Sequence, residues 1–257
     1  MKIAISGKGG VGKSTLAAAI SLLLSRSGKK VLAIDADEDA NLAAALGASA
    51  HHMESIIPVS EQVALIEERT GAKVKQYGQI FKLNPEVSDI AGKYATEING
   101  VNLLVLGAVD TGGGGCACPE NVLIRALVTD LIMFKDDTLV MDMEAGIEHL
   151  GRATAKGVDK MVVVVEAGQR SIDTAKKIKK LSLEIGISNI LFVANKIYSP
   201  SDEQLIRAAF THDELIGIIP FSDELRLSDR TGQSVLDNLG KDMMDRFKEI
   251  LQKIISA

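Results

Sequence analysis

Lys2-Ile3-Ala4-Ile5-Ser6, Gly7-Lys8-Gly9-Gly10-Val11-Gly12-Lys13-Ser14 and the amphipathic run from Ser14 to Ser25 follow one another as strand, glycine-rich loop and helix. Glycines let the backbone fold tightly enough to aim several N–H groups at one anion, and the helix N-terminus adds partial positive charge. At this spacing Lys13 reaches the β- and γ-phosphates of a nucleotide and the Ser14 hydroxyl ligates Mg²⁺. Gly9, Gly10, Val11, Gly12 and Thr15 complete the cradle. An idle glycine-rich turn would not require Lys-Ser where the helix opens, so the stretch reads as a P-loop.

Outward from it, short apolar runs recur between longer helical patterns, at Lys2–Ser6, Lys30–Asp35, Val101–Gly107, Asp137–Asp142, Lys160–Glu166, Asn189–Asn195 and Leu215–Pro220. Runs this apolar suit strands buried on both faces. They predict an α/β fold, a doubly wound, mostly parallel sheet flanked by helices. No repeat or low-complexity linker divides the chain, so residues 1–257 read as one domain. Ala48–Asn99 is the least periodic stretch, with a helix expected at Ser60–Thr70, a short strand at Ile80–Leu83 and a helix at Glu86–Tyr94.

The C-terminal segment places Met243, Met244, Phe247, Ile250, Leu251, Ile254 and Ile255 on one helical stripe. Its Lys241, Arg246, Lys248 and Lys253 are nearly balanced by Asp242, Asp245 and Glu249, which favours docking on the core over a membrane surface.

With 257 residues, 46% hydrophobic and 25% charged, the chain can bury a full core without staples. Net charge is −5 and no long basic run exists, which argues against nucleic acid as a partner. The opening residues read as a strand rather than a signal peptide. The strongest apolar run, Met161–Val165, is far short of the ~20 residues that span a bilayer. A cytoplasmic protein is expected.

Two strands end in carboxylates. Val31-Leu32-Ala33-Ile34-Asp35-Ala36-Asp37 puts Asp35 and Asp37 at the C-terminal edge, where such sheets bind nucleotide, and two residues apart on an extended chain they point the same way. Helix capping by Asp37 or Asp39 is compatible with a catalytic part. Thr138-Leu139-Val140-Met141-Asp142 continues Met143-Glu144-Ala145-Gly146. Asp142 suits holding Mg²⁺ through water, and Gly146 suits a backbone that approaches the γ-phosphate. Lys8 adds a second cation to the loop, able to act on another nucleotide or on charge that develops during transfer.

Cys116 and Cys118 are the chain's two cysteines. They follow Gly112–Gly115 and precede a helical pattern from Pro119 to Met133. Proline at the first helical position and acidic Glu120 place Cys118 near a helix N-terminus, where a lowered thiol pKa is expected. Two thiolates are too few for a closed tetrahedral site, whereas a second copy about a two-fold axis supplies four. A buried structural pair, a strained disulfide, or ligands completed by His51, His52, His149 or His212 remain open. Thiolates suit Zn²⁺, Cu⁺, Ni²⁺ and iron–sulfur clusters alike.

Gly7 to Thr15 resembles the deviant Walker A motif of MinD, ParA and the nitrogenase iron protein. Adding Cys116-Ala117-Cys118-Pro119-Glu120-Asn121 and the stretch Asp142 to Arg152, the chain is similar along nearly its whole length to CooC-type ATPases, which assist nickel insertion into carbon monoxide dehydrogenase. The resemblance implies ATP/ADP and Mg²⁺ as ligands and ATP hydrolysis as the reaction. It implies a homodimer in which Lys8 reaches the partner's nucleotide, and Asp37 positions the attacking water while Asp35 supports the magnesium shell. Asn195 would contact adenine, and the Pro220 segment would border the base. Cys116 and Cys118 would share Ni²⁺ across the dimer, with Zn²⁺ as a substitute. Many MinD-like proteins carry proline where this chain has Glu144, whose role stays unassigned. Alternatives are a maturation ATPase for acetyl-CoA synthase, a MinD/ParA-like spatial organiser and an iron–sulfur carrier.

Overall fold

Strands with apolar residues on both faces need cover on both, and they receive it. The computed structural model describes residues 1–37, 39–74, 76, 78–107, 118–134, 137–145 and 152–257. Its strands are β1 (Lys2–Gly7), β2 (Val31–Ala36), β3 (Thr96–Ile98), β4 (Val101–Val105), β5 (Thr138–Met143), β6 (Lys160–Val165), β7 (Ile190–Ile197) and β8 (Leu215–Pro220). They form one sheet in the order β3-β4-β2-β5-β1-β6-β7-β8. All neighbours are parallel except the β3–β4 pair, so the mostly parallel sheet expected from the sequence is present.

The helices are α1 (Lys13–Arg26), α2 (Leu42–Ala45), α3 (Ala50–Ser55), α4 (Val63–Thr70), α5 (Ile90–Tyr94), α6 (Pro119–Phe134), α7 (Arg152–Ala155), α8 (Gln169–Ile185), α9 (Pro200–Ala209), α10 (Asp223–Thr231) and α11 (Lys241–Ser256). Residue alternation along the strands divides the core in two. Ile3, Ile5, Val140, Val162 and Val193 pack with α1 and α11 on one face. Ala4, Ile34, Met141, Val163 and Phe192 pack with α4, α6 and α8 on the other.

Between β1 and its two neighbours the winding reverses, since β5 lies on one side and β6 on the other. Nucleotide crevices form at such reversals, beyond the strand C-termini.

The elaboration differs from expectation. Residues 80–83 form no strand, and Ile80 and Leu83 are 98% and 66% exposed, because no neighbouring strand offers them a ladder. The sheet edge is instead β3, joined to β4 by Asn99-Gly100 with φ of 48° and 79°, the two-residue turn that matches strand twist. The helix expected from Glu86 begins only at Ile90. The one expected at Ser60–Thr70 is a 3₁₀ turn (Val59–Glu61) followed by α4.

The C-terminal stripe docks as expected: Met243, Phe247, Ile250 and Ile254 are buried in the core. Among the described residues, no helix is long and apolar enough to cross a membrane.

Candidate functional site

α1 starts without a side-chain cap. Its N-cap residue, Gly12, sits at φ 96°, ψ 33°, so the first N–H groups of the helix stay available to a ligand. A Cβ on Gly12 would lie 2.2 Å from the Asn195 Nδ2, so glycine is needed there for conformation and for space. The loop borders a cleft of about 680 Å³. Gly9, Gly10, Gly12, Lys13, Ser14, Thr15, Asp37, Asn195 and Pro220 line it, together with Glu144, Lys196 and Phe221. Val11 is buried under the loop at 1% exposure, and Lys8 is exposed beside it. Gly146 lies outside the described residues.

Lys13 is buried and its Nζ stands 3.0 Å from Asp37 Oδ2. Behind this pair, Asp35 and Asp142 lie opposite each other in the β2–β5 register, both fully buried. Burial pushes Asp35 up to about 6, against the hydrogen bonds it accepts from the N–H groups of Leu42 (2.8 Å) and Asp37 (3.2 Å). Leu42 is the first residue of α2, so the helix is capped by Asp35 and not by Asp37 or Asp39. Asp37 accepts the Asp39 N–H, at 3.1 Å, in a local turn. The cap falls to Asp35 because the chain bends back at once after β2.

Burial pushes Asp142 still further, to about 7, with the Ser14 hydroxyl pulling the other way. Among the described residues, neither Asp142 oxygen has a well-formed hydrogen-bond partner. A buried carboxylate with both oxygens unpaired costs stability unless something binds it. Beside a hydroxyl and a phosphate loop, that donor set fits a hard divalent cation such as Mg²⁺.

At the far end, Asn195 donates Nδ2–H to the Val11 carbonyl at 2.8 Å. One N–H of the amide is thus given to the loop, which leaves the second N–H and Oδ1 for the adenine contact that the resemblance implies. Tyr198 stacks on Phe221 with ring centroids 4.5 Å apart, and the Arg226 guanidinium lies 5.7 Å over Phe221. Tyr198 and Arg226 were missed by sequence reasoning, whereas Asn195-Lys196 and Pro220-Phe221 stood out as the pairs that close two strands, with no role given to Lys196 or Phe221.

Cys118 is half-buried at the start of α6 and accepts a hydrogen bond from Asn121 Nδ2 at 3.2 Å. Burial raises its thiol pKa, with the Asn121 N–H opposing and the Glu120 carboxylate adding to the rise. The lowered pKa expected from the helix start is therefore corrected, because burial and the neighbouring carboxylate outweigh the helix terminus. Cys116 lies outside the described residues, as does His149. Among the described residues, no group of three or more His, Cys, Asp or Glu could hold a metal ion.

A family model described as the CobQ/CobB/MinD/ParA nucleotide binding domain matches residues 2–235. The chain is 43% identical over 237 residues to the carbon monoxide dehydrogenase accessory protein CooC of Rhodospirillum rubrum, covering 92% of this chain and 90% of that protein. It is 40% identical over 258 residues to an uncharacterised ATP-binding protein of Methanocaldococcus jannaschii, covering 99% and 98%. Among solved structures, the MinD cell division protein of Aquifex aeolicus shares the fold with a TM-score of 0.67 at 24% identity, covering 100% of this chain and 98% of that one. The septum site-determining protein MinD of Pyrococcus horikoshii, complexed with Mg-ADP, does so with a TM-score of 0.65 at 20% identity, covering 98% and 95%. The chain therefore belongs to the CobQ/CobB/MinD/ParA nucleotide-binding family, as a MinD/ParA-type P-loop ATPase on the branch that includes CooC.

Proposed function

We propose that this ATPase is a metallochaperone: a homodimer that holds Ni²⁺ on Cys116 and Cys118 of both copies and delivers it to a nickel enzyme, carbon monoxide dehydrogenase by analogy with CooC. One backbone bond carries the reading. Leu106 N–H donates to the Asp35 carbonyl at 2.9 Å, so the stem of the cysteine-bearing segment hangs on the strand end that leads to Asp37. Movement of that end with nucleotide state would be felt directly at Leu106, ten residues before Cys116 in the sequence.

In this mechanism the loop N–H groups take the phosphates, and Lys13 leaves Asp37 for them. Asp37, released, orients the attacking water, and exposed Lys8 reaches the partner's nucleotide. Ser14 and Asp142 would hold Mg²⁺, which would supply charge that offsets the triphosphate. Nickel is cargo; one copy offers two thiols, so a closed four-thiolate site takes two copies. Zn²⁺ competes for the same donors. Acetyl-CoA synthase is the alternative client. A spatial organiser is the other alternative; it would bind through the C-terminal helix or a basic face, and most of the apolar stripe of α11 packs on the core.

The test is a nickel titration, with zinc as competitor, into reduced protein with and without Mg-ADP or ATP, beside a Cys116→Ser/Cys118→Ser variant. One metal per two chains, dependent on nucleotide and absent from the variant, is expected. Binding that ignores the cysteines would sink the metallochaperone reading.

A further inference from the structure

β7 carries an irregularity in its pairing with β8 between Ala194 and Ile197. Such bulges re-aim side chains, often beside a functional site. The two residues within it both reach back to the phosphate loop. Asn195 Nδ2 donates to the Val11 carbonyl at 2.8 Å across 184 residues of sequence, and Lys196 Nζ donates to the Gly10 carbonyl at 2.5 Å across 186. Lys196 holds φ 54°, a left-handed conformation unusual for lysine that persists only where surrounding contacts hold it. Its ammonium is also 3.0 Å from Glu166, at the end of β6. The Glu166 backbone is itself fixed, its N–H bonded to Ser171 Oγ at 3.0 Å and its carbonyl to the Gly168 N–H at 2.8 Å.

We propose that Asn195 and Lys196, the latter steered by Glu166, are positioning residues that set the peptide orientations of the phosphate loop before nucleotide arrives. In a trans peptide the carbonyl and the following N–H point opposite ways. Drawing the Val11 carbonyl to Asn195 therefore turns the Gly12 N–H away from Asn195. The Gly10 carbonyl, held by Lys196, fixes the peptide before it, whose Val11 N–H closes the turn onto the Lys8 carbonyl at 3.3 Å. Gly10 and Gly12 both have positive φ, and a loop so rich in glycine would otherwise sample many peptide orientations. The clamp removes that freedom, so less ordering remains to oppose anion binding. The proposal rests on this loop being the phosphate site and is independent of the nickel reading.

The test measures binding of inorganic tripolyphosphate and of Mg-ADP to the full chain, with thermal midpoints, for Lys196→Gly, Lys196→Arg and Glu166→Gln. Glycine relieves the strained φ, so Lys196→Gly is expected to keep or raise the midpoint of the protein without ligand while weakening tripolyphosphate about tenfold, the loss of one charge-assisted hydrogen bond. Arginine keeps binding within about threefold, and Glu166→Gln weakens it by about threefold. Unchanged tripolyphosphate binding in Lys196→Gly overturns the proposal, whether or not Mg-ADP weakens, since a loss confined to Mg-ADP places Lys196 against the nucleoside alone. A midpoint that falls in step with affinity overturns it too, as a general structural role. Failure of the unsubstituted protein to bind either ligand overturns the phosphate-site assignment beneath it.

Discussion

Lys13 Nζ lies 3.0 Å from Asp37 Oδ2, with the two side chains only 7% and 11% exposed. The lysine of the glycine-rich loop and the carboxylate just beyond β2 are thus each other's counter-ion. Under the proposed function, incoming phosphate takes Lys13 from Asp37, which would link nucleotide binding to the release of the carboxylate. Asp37→Asn leaves a buried ammonium without its partner, at a cost of about 3 kcal/mol, or roughly 5–10 °C in thermal midpoint. Mg-ADP is expected to restore most of that stability and to bind at least as tightly as to the native chain, while hydrolysis falls by about 100-fold or more. Calorimetry and phosphate release read the two effects separately; a variant as stable as the parent without ligand would remove the counter-ion argument.

Asp142 and Asp35 make the fold sensitive to pH in the direction opposite to ordinary acid denaturation. Burial raises both above the unfolded value, to about 7 and about 6. The folded state then binds protons more tightly than the unfolded one, so stability is greatest while both are protonated and falls as pH rises from about 4 through 7. Every tenfold gain in proton affinity on folding corresponds to about 1.4 kcal/mol, so Asp142, the more strongly raised of the two, dominates. Mg²⁺ requires the ionised form, so Mg-ADP binding strengthens between about pH 6 and 8 and releases protons. Asp142→Asn is expected to stabilise the protein without ligand at about pH 8, flatten its stability profile and erase the Mg²⁺ dependence of ADP binding. Denaturant titrations across pH check the sign, which a profile rising toward neutrality would reverse.

The fold was legible because its strands are apolar without alternation, and the loop because Lys13-Ser14 follows glycines between a strand and a helix. The elaboration was not, since Ile80 and Leu83 look like a strand by composition while lacking a neighbour to pair with. Asn99-Gly100, a two-residue turn signal, was the better clue to the edge hairpin. At the site, the carboxylates were found but their division of labour was not. That Asp35 caps α2 while Asp142 faces the Ser14 hydroxyl depends on how the chain bends after β2. Asn195 was read for a base; its bond to a carbonyl 184 residues away was not foreseen, because only the sheet order creates that contact.

The raised Cys118 thiol has its own consequence for metal uptake. Burial and the Glu120 carboxylate both oppose the thiolate, which is the form that binds metal or reacts with alkylating agents. In a Cys116→Ser background, Glu120→Gln is expected to shift the pH midpoint of Cys118 alkylation downward and to raise the rate at pH 8 about threefold. Iodoacetamide kinetics across pH measure it; an upward shift would mean that the carboxylate serves the thiol in some other way.

Gly217 decides how closely α11 meets the sheet. A Cβ there would lie 2.3 Å from Ile250 Cγ1 and 2.7 Å from its Cδ1, so valine must push the helix outward at a cost of about 2 kcal/mol. The same helix guards the sheet's edge. β8 is the last strand, and Lys253 Nζ and Arg246 Nη1 donate to its Ile216 and Ile218 carbonyls at 2.9 and 3.4 Å. Displacing α11 therefore uncovers both an apolar stripe and an unpaired ladder, the combination that invites edge-to-edge association. Gly217→Val is expected to lose amide protection in α11 first and to sediment as higher oligomers, while ADP affinity at the opposite end of the strands changes by less than about threefold. Hydrogen exchange that loosens the whole sheet together would instead make α11 part of the cooperative core rather than a latch upon it.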